Sequence, residues 1–122
     1  MIILDISVWI DHARENNAHL FELFKEGRIL IHPFMIGEVA LGSLRDRDRI
    51  LASLFKMPRP VVASEEEVLS LIRNRFLAGS GIGYVDAHLL ASTRLTPETL
   101  LWTRDKRLKP IAEAMGIAYA LP

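Results

Sequence analysis

The chain has 122 residues, and 15 basic and 15 acidic side chains give it a formal net charge of zero. This length is typical of one domain, so we expect a single domain over residues 1–122. The chain contains no cysteine, which excludes a disulfide scaffold, a thiolate zinc site and a cysteine nucleophile. Its charge balance argues against a protein that coats DNA.

The N-terminal segment and the distribution of apolar residues bear on targeting. Asp5 places a carboxylate inside the first apolar stretch, which interrupts the apolar segment that a signal peptide requires. No uninterrupted apolar run approaches the roughly 18 residues of a membrane-spanning helix. We therefore expect a cytoplasmic protein with no membrane association.

Short apolar runs alternate along the chain with segments of helical periodicity. Helix starts are indicated by Asn16 or Asn17 and by the capping box of Ser64 and Glu67. In chain order, the predicted elements are strand 2–4, helix 7–14, a helix from 16 or 17 to 27, strand 28–31, helix 34–44, helix 46–56, strand 61–63, helix 64–77, helix 84–94, strand 100–103, helix 105–115 and strand 117–120. Because helices separate most of the strands, we expect an α/β fold with a mostly parallel central sheet of about four to five short strands, flanked by helices on both faces.

Two carboxylates directly follow predicted strands. Asp5 comes after the first strand, and Asp105 comes just after residues 100–103. In open parallel sheets ligands bind at the carboxyl ends of the strands, so these two side chains meet if their strands are neighbours. The structural alternative for each is a helix N-cap, a position at which Asp is favoured.

Two further acids lie in apolar segments. Glu38 is the one charged residue within residues 33–42, and a lone carboxylate is costly to bury without a partner or a cation. Its alternative is a side chain that points to water. Asp86 shares a helical face with Leu89 and Leu90, which predicts an inward orientation. Its alternative is a favourable charge in the first helical turn.

Together these four acids indicate a site for a hard divalent cation. Clustered carboxylates repel one another at low dielectric, so they either take up protons or hold a cation. Oxygen ligands suit Mg²⁺ or Mn²⁺. A common chemistry at such sites is phosphodiester hydrolysis, in which the ion polarises the phosphate and activates water.

Four sequence blocks resemble those of the PIN-domain ribonucleases, specifically the VapC-type toxins of type II toxin–antitoxin systems. The blocks read IILDISVWID at 2–11, EVALG at 38–42, VDAHLLA at 85–91 and LWTRDKRL at 101–108. Each block is weak alone, but four in this order within so short a chain are specific. The resemblance extends over essentially the whole chain and implies a single PIN-like domain.

The resemblance also implies a function and a set of site residues. It implies a metal-dependent endoribonuclease toxin that hydrolyses RNA phosphodiester bonds with Mg²⁺ or Mn²⁺ as cofactor. A cognate antitoxin that inhibits the enzyme and a homodimer are implied as well. The acids implied to be both catalytic and metal-binding are Asp5, Glu38, Asp86 and Asp105.

One position departs from the family pattern. The family usually has Thr after the first Asp, whereas this chain has Ile6, which carries no hydroxyl to support the site. Ser7 and Thr103 are the nearby polar side chains that we expect to support the acids. The alternative for each of them is a helix cap or a turn residue at a strand end.

Basic side chains surround Asp105. We expect Arg104, Lys106 and Arg107 to contact RNA phosphates, and the alternative is a solvated basic loop. Other charged residues, namely Asp11 in the first helix and Arg73 and Arg75 in the middle of the chain, are interpreted as solvated surface.

Two other functions compete with the ribonuclease. The first is a catalytically silent PIN-fold module that binds RNA or protein, and Ile6 is the feature that favours it. The second is a phosphatase with an Asp nucleophile at position 5. In the haloacid-dehalogenase pattern that chemistry requires a second Asp two positions later, and position 7 is Ser, so the phosphatase is disfavoured.

Overall fold

The computed structural model describes residues 1–121, apart from the side chains of residues 13 and 14. Over this part of the chain there are three strands, β1 (Ile2–Leu4), β2 (Ile29–Leu30) and β3 (Leu100–Trp102). The helices are α1 (Ile6–Glu15), α2 (Ala18–Lys25), α3 (Pro33–Leu41), α4 (Arg47–Phe55), α5 (Glu65–Asn74), α6 (Tyr84–Leu95) and α7 (Leu108–Ala114). The predicted α/β class is confirmed.

β1 is the central strand of a parallel sheet with the order β2-β1-β3. Every residue of β1 is buried, although successive side chains of a strand point to opposite faces. Both faces of the sheet are therefore covered at its centre. Leu4 pairs with Trp102, so the residues that follow them, Asp5 and Thr103, leave neighbouring strands at the same edge of the sheet.

Side-chain caps fix where two of the helices begin. The Asn17 side chain accepts a hydrogen bond from the Leu20 N–H at 2.9 Å, at the start of α2. At the start of α5, Ser64 and Glu67 each cap the other's backbone N–H group, at 3.1 and 2.9 Å. Both predicted caps are confirmed. Such caps can be predicted from the sequence because they depend on residues only a few positions apart.

The predicted strand at residues 61–63 is wrong. Pro58 and Pro60 precede it, and proline has no N–H group to donate to a neighbouring strand. The Val61 N–H donates to the Thr96 hydroxyl at 3.0 Å rather than to a strand. The segment therefore connects α4 to α5 without joining the sheet.

The last predicted strand, at residues 117–120, is reduced to a single bridge. Leu101 pairs with Ala118 in parallel orientation. The Leu101 N–H donates to the Ile117 carbonyl at 2.7 Å, and the Tyr119 N–H donates to the Leu101 carbonyl at 2.8 Å. Within the described residues, the sheet therefore has three strands and this bridge rather than four to five strands.

Aliphatic side chains from the sheet and from most of the helices fill the interior. Leu20, Val39, Val68, Leu89 and Leu108 come from five different helices, and each is at most 1% exposed. Burial of one such side chain stabilises the fold by roughly 1.5–3 kcal/mol. Among the helices of residues 1–121, none has the length and apolar character needed to cross a membrane.

A fully buried histidine precedes α3. His32 Nδ1 accepts a hydrogen bond from the Phe34 N–H at 3.0 Å, so the neutral ring carries its proton on Nε2. That Nε2 is buried and has no hydrogen-bond partner among the described residues. Burial, together with the charges of His88 and Arg59, lowers the pKa of His32 to about 4.

We expect His32 to make the protein less stable as the pH falls from 6.5 to about 4. The unfolded chain takes up a proton near pH 6.5, whereas the folded chain resists protonation until about pH 4, so the free energy of unfolding falls across this window by about 3 kcal/mol. Urea unfolding over a series of pH values between these limits measures the effect. His32→Asn keeps a cap acceptor but does not titrate there, so its pH dependence is expected to be weaker. An unchanged pH dependence would contradict the assignment.

Candidate active site

Asp5 directly follows β1 and is the most deeply buried of the four acids. Its side chain is 3% exposed, and its Oδ2 accepts hydrogen bonds from the Ser7 hydroxyl at 2.8 Å and from the Thr103 hydroxyl at 2.6 Å. Asp5 is also the N-cap of α1, but its carboxylate makes no capping hydrogen bond. The side chain is therefore oriented by hydroxyls from α1 and from the loop after β3, and Oδ1 accepts no hydrogen bond from the described residues.

The two hydroxyls also connect the ends of β1 and β3. Ser7 Oγ accepts a hydrogen bond from the Arg104 N–H at 2.9 Å, and Thr103 Oγ1 accepts one from the Asp105 N–H at 3.0 Å. Each hydroxyl thus donates to Asp5 and accepts from the loop after β3. This network fixes the distance between the two strand ends from which the acids project.

Asp105 lies in the loop between β3 and α7 and is half-buried. Its Oδ1 accepts hydrogen bonds from the N–H groups of Arg107 at 2.8 Å and Leu108 at 3.0 Å. One of its two oxygens therefore binds backbone N–H groups at the start of α7, as expected from the N-cap alternative. Oδ2 accepts no hydrogen bond from the described residues, so it remains available to a ligand.

Asp86 lies in the first turn of α6, and its Oδ2 accepts a hydrogen bond from the Gly83 N–H at 3.2 Å. Burial raises the pKa of this carboxyl. The Gly83 hydrogen bond opposes the shift, and the negative charges of Asp5, Asp105 and Glu38 add to it. The charges of the other three acids therefore all act on Asp86.

Glu38 differs from the other three acids because its side chain is exposed on α3 and makes no hydrogen bond with the described residues. Its link to the other acids is electrostatic, because the negative charge of Glu38 contributes to the raised pKa of Asp86. Within the described part of the chain, no three His, Cys, Asp or Glu side chains approach closely enough to form a preformed metal shell. The four acids are therefore grouped by charge and by their place in the fold, without forming a closed ligand shell.

The chemistry of these residues fits a hard divalent cation. The donor set consists of carboxylates, and in three of them, Asp5, Asp86 and Asp105, one oxygen accepts hydrogen bonds from the protein while the other accepts none from the described residues. A cation among them would relieve the repulsion that adds to the rise that burial causes in the pKa of Asp86. Asp5, Glu38, Asp86 and Asp105 would hold it, and Ser7 and Thr103 would orient Asp5.

The basic residues around Asp105 have different environments. The Arg104 guanidinium forms an ion pair with Asp11 at 2.7 Å. The Arg107 guanidinium donates to the Gly81 carbonyl at 3.3 Å, which ties the loop before α6 to the loop after β3. Lys106 is exposed and makes no hydrogen bond or ion pair with the described residues. Lys106 therefore keeps its full charge available to a phosphate.

Two contacts of this site were not predicted from the sequence. Asp11, interpreted as solvated surface, is half-buried and positions Arg104. Gly81 supplies the carbonyl that holds Arg107. These partners are 93 and 26 residues apart in the chain, and no local pattern marks them. Ile6 packs against the hydrophobic core, so it contributes no polar group to the acids.

Comparison with known proteins agrees with this architecture. Residues 2–114 match the model of the PIN domain family. A protein named Ribonuclease VapC32, from Mycobacterium tuberculosis strains CDC 1551 / Oshkosh and ATCC 25618 / H37Rv, is 46% identical over 123 residues. The match covers 98% of this chain and 97% of that relative. The chain therefore belongs to the PIN domain family, as a VapC-type member.

Proposed function

We propose that this protein is a metal-dependent endoribonuclease that acts as the toxin of a toxin–antitoxin pair. The observation that carries the proposal is that Asp5 and Asp105 follow paired parallel strands and share the network of the Ser7 and Thr103 hydroxyls. The negative charges of Asp5, Asp105 and Glu38 also add to the rise that burial causes in the pKa of Asp86. The 46% identity to a protein named Ribonuclease VapC32 supports RNA as the substrate.

In the proposed site the acids hold Mg²⁺ or Mn²⁺. When bound, the cation supplies charge neutralisation at the phosphate and activation of water. Ser7 and Thr103 keep the Asp5 carboxylate in one orientation and leave its other oxygen free of hydrogen bonds from the described residues. The exposed ammonium of Lys106 binds a phosphate of the RNA strand beside the scissile bond.

Glu38 offers a sharp test because its exposed side chain has no structural partner in the described residues. We expect Glu38→Gln to reduce cleavage of a labelled structured RNA by at least about tenfold, since even groups that only support a metal ligand contribute this much. Its melting temperature is expected to stay the same or to rise slightly, because the substitution removes one of the charges that disfavour ionised Asp86. The assay is run with Mg²⁺, with Mn²⁺ and with EDTA.

Glu66→Gln is the matched control, because Glu66 is also exposed, on α5, and lies outside the acid cluster. We expect this control to cleave like the parent protein. Cleavage that survives EDTA, or equal cleavage by the Glu38 and Glu66 variants, would contradict the proposal. Absence of cleavage by the parent protein on several RNAs would favour the silent binding module.

The remaining functional expectations follow from VapC-type membership and belong to the same proposal. They are a single PIN domain over residues 1–122, a cytoplasmic location, a homodimer and a cognate antitoxin. Of the apolar residues on α2 and α4, Leu20 and Leu54 are buried in the core, whereas Phe21 and Phe55 are 57% and 63% exposed. These two exposed rings are available to a protein partner.

Ile6 is the feature that favours a silent module, but the structure gives little support to that interpretation. It packs against the core, and Asp5 receives two hydroxyl hydrogen bonds without any hydroxyl at position 6. The orientation of Asp5 is thus provided by Ser7 and Thr103. We therefore favour the active ribonuclease.

A further inference from the structure

The end of α5 carries an aromatic residue in an unfavourable backbone conformation. Phe76 has a φ of 55°, in the left-handed region, and its side chain is 88% exposed. A bulky L-residue is disfavoured in that region, and an exposed phenylalanine gains nothing from burial. Neither backbone preference nor packing explains a phenylalanine at this position.

Two other helices provide an internal comparison. At the ends of α2, α5 and α7, two consecutive N–H groups donate to the carbonyls three and five residues before them, which is the Schellman motif. After α2 and α7 the left-handed position is occupied by Gly27 and Gly116, with φ of 68° and 73°. The same turn after α5 contains Phe76, where glycine is the favoured residue.

Two arginines and a groove lie next to Phe76 in the structure. Arg73 and Arg75 are exposed and make no ion pair with the described residues. Leu77, the next residue, lines a groove of about 220 Å³ whose other side includes Gly83. The Gly83 N–H in turn donates to Asp86. The groove next to Phe76 thus includes the glycine whose N–H group binds one of the four acids.

We propose that Phe76 stacks on a base of the RNA substrate, while Arg73 and Arg75 bind the adjacent phosphates. Stacking on a nucleic-acid base requires an exposed aromatic face, and cations nearby hold the phosphate backbone. Backbone strain without a packing role is typical of functional positions. This inference rests on the proposed ribonuclease function. It adds a residue that binds the RNA away from the phosphodiester bond that is cleaved.

The test separates binding from stability. Phe76→Gly removes the ring and also relieves the left-handed strain, so we expect a raised melting temperature together with weaker RNA binding. Binding is measured by fluorescence anisotropy with a labelled 20-nucleotide single-stranded RNA of mixed sequence, in the Asp86→Asn background with Mg²⁺. Loss of one stacked base is expected to raise the dissociation constant of the RNA by about 5- to 100-fold.

Two further variants make the result specific. Phe76→Tyr keeps an aromatic ring and is expected to bind like the parent protein. Phe21→Ala removes an exposed ring from α2, far from the groove in sequence, and is also expected to bind like the parent. If Phe76→Gly lowers the melting temperature, Phe76 has a structural role and the proposal is wrong.

The remaining outcomes separate this proposal from the ribonuclease function. RNA binding by Phe76→Gly that equals the parent overturns the stacking role, even if metal-dependent cleavage is observed. If Phe76→Gly binds RNA like the parent but light scattering shows that the parent forms a dimer and the variant does not, Phe76 belongs to a protein interface instead. If the parent cleaves no RNA but binds the 20-mer more tightly than Phe76→Gly, the ribonuclease function fails and the stacking role stands. Absence of RNA binding by both proteins overturns both.

Discussion

Replacing Asp86 with Asn is expected to abolish RNA cleavage and at the same time to stabilise the protein. Burial and the charges of Asp5, Asp105 and Glu38 raise the pKa of the Asp86 carboxyl, so folding disfavours its ionised form. At pH 7 this repulsion destabilises the folded state, and it fades as the pH falls through the raised pKa. Asn removes the charge and keeps an oxygen that accepts the Gly83 hydrogen bond.

Both directions of this prediction can be measured on one preparation. We expect cleavage in Mg²⁺ to fall by at least about a hundredfold, since loss of a ligand exceeds the tenfold to hundredfold loss of a supporting group. The free energy of unfolding in EDTA at pH 7 is expected to rise. Added Mg²⁺ is expected to stabilise the parent more than the variant, because the ion binds the folded acids.

The same substitution on α1 provides the control for charge removal. Asp11 forms an ion pair with Arg104 outside the acid cluster, so Asp11→Asn is expected to be no more stable than the parent and to retain most of its cleavage. An Asp86→Asn variant that is destabilised and still active would place Asp86 in the structural framework and outside the site.

Replacing Thr103 with Val is expected to affect both stability and activity. The Thr103 hydroxyl donates to Asp5 at 2.6 Å and accepts from the Asp105 N–H at 3.0 Å. Valine has nearly the same shape, so its effect isolates the hydroxyl. Asp5 is 3% exposed and loses one of its two donors, which costs about 1–3 kcal/mol of stability.

Cleavage by Thr103→Val is expected to fall by about 10- to 100-fold, with a higher Mg²⁺ concentration needed for half-maximal rate. Thr103→Ser restores a hydroxyl and is expected to recover most of both losses. Thr93→Val is the matched control, since the Thr93 hydroxyl is also buried but donates to the Leu89 carbonyl within α6. Equal effects of the two valine substitutions on the Mg²⁺ dependence would rule out a specific role of Thr103.

Features of the fold that depend on neighbours in sequence could be predicted. Asn17 and Ser64 cap helices as expected, because each cap requires only a residue three positions away. The strand at residues 61–63 was predicted from its apolar residues, but Val61 gives its N–H to Thr96. That choice depends on a contact 35 residues distant, which no local pattern contains.

The same distinction applies to the site. The hydrophobic pattern predicted a strand before each of Asp5 and Asp105 but left open whether the two strands are neighbours, and the structure shows that they are paired directly. The burial of Asp5 under two hydroxyls and the pairing of Arg104 with Asp11 depend on packing across the sheet edge. Sequence patterns thus indicated which acids to examine, whereas only the structure gives their orientation.

The pairing of β1 with β3 ties the ability to cut RNA to the completion of folding. Thr103 and Asp5 are 98 residues apart, so closing this contact carries a large loop-closure entropy and is expected to be a late event in folding. Before β3 docks, Asp5 lacks the Thr103 hydroxyl and Asp105 is far from the other acids. If the protein is the proposed nuclease, we therefore expect a chain with β3 undocked to have no nuclease activity.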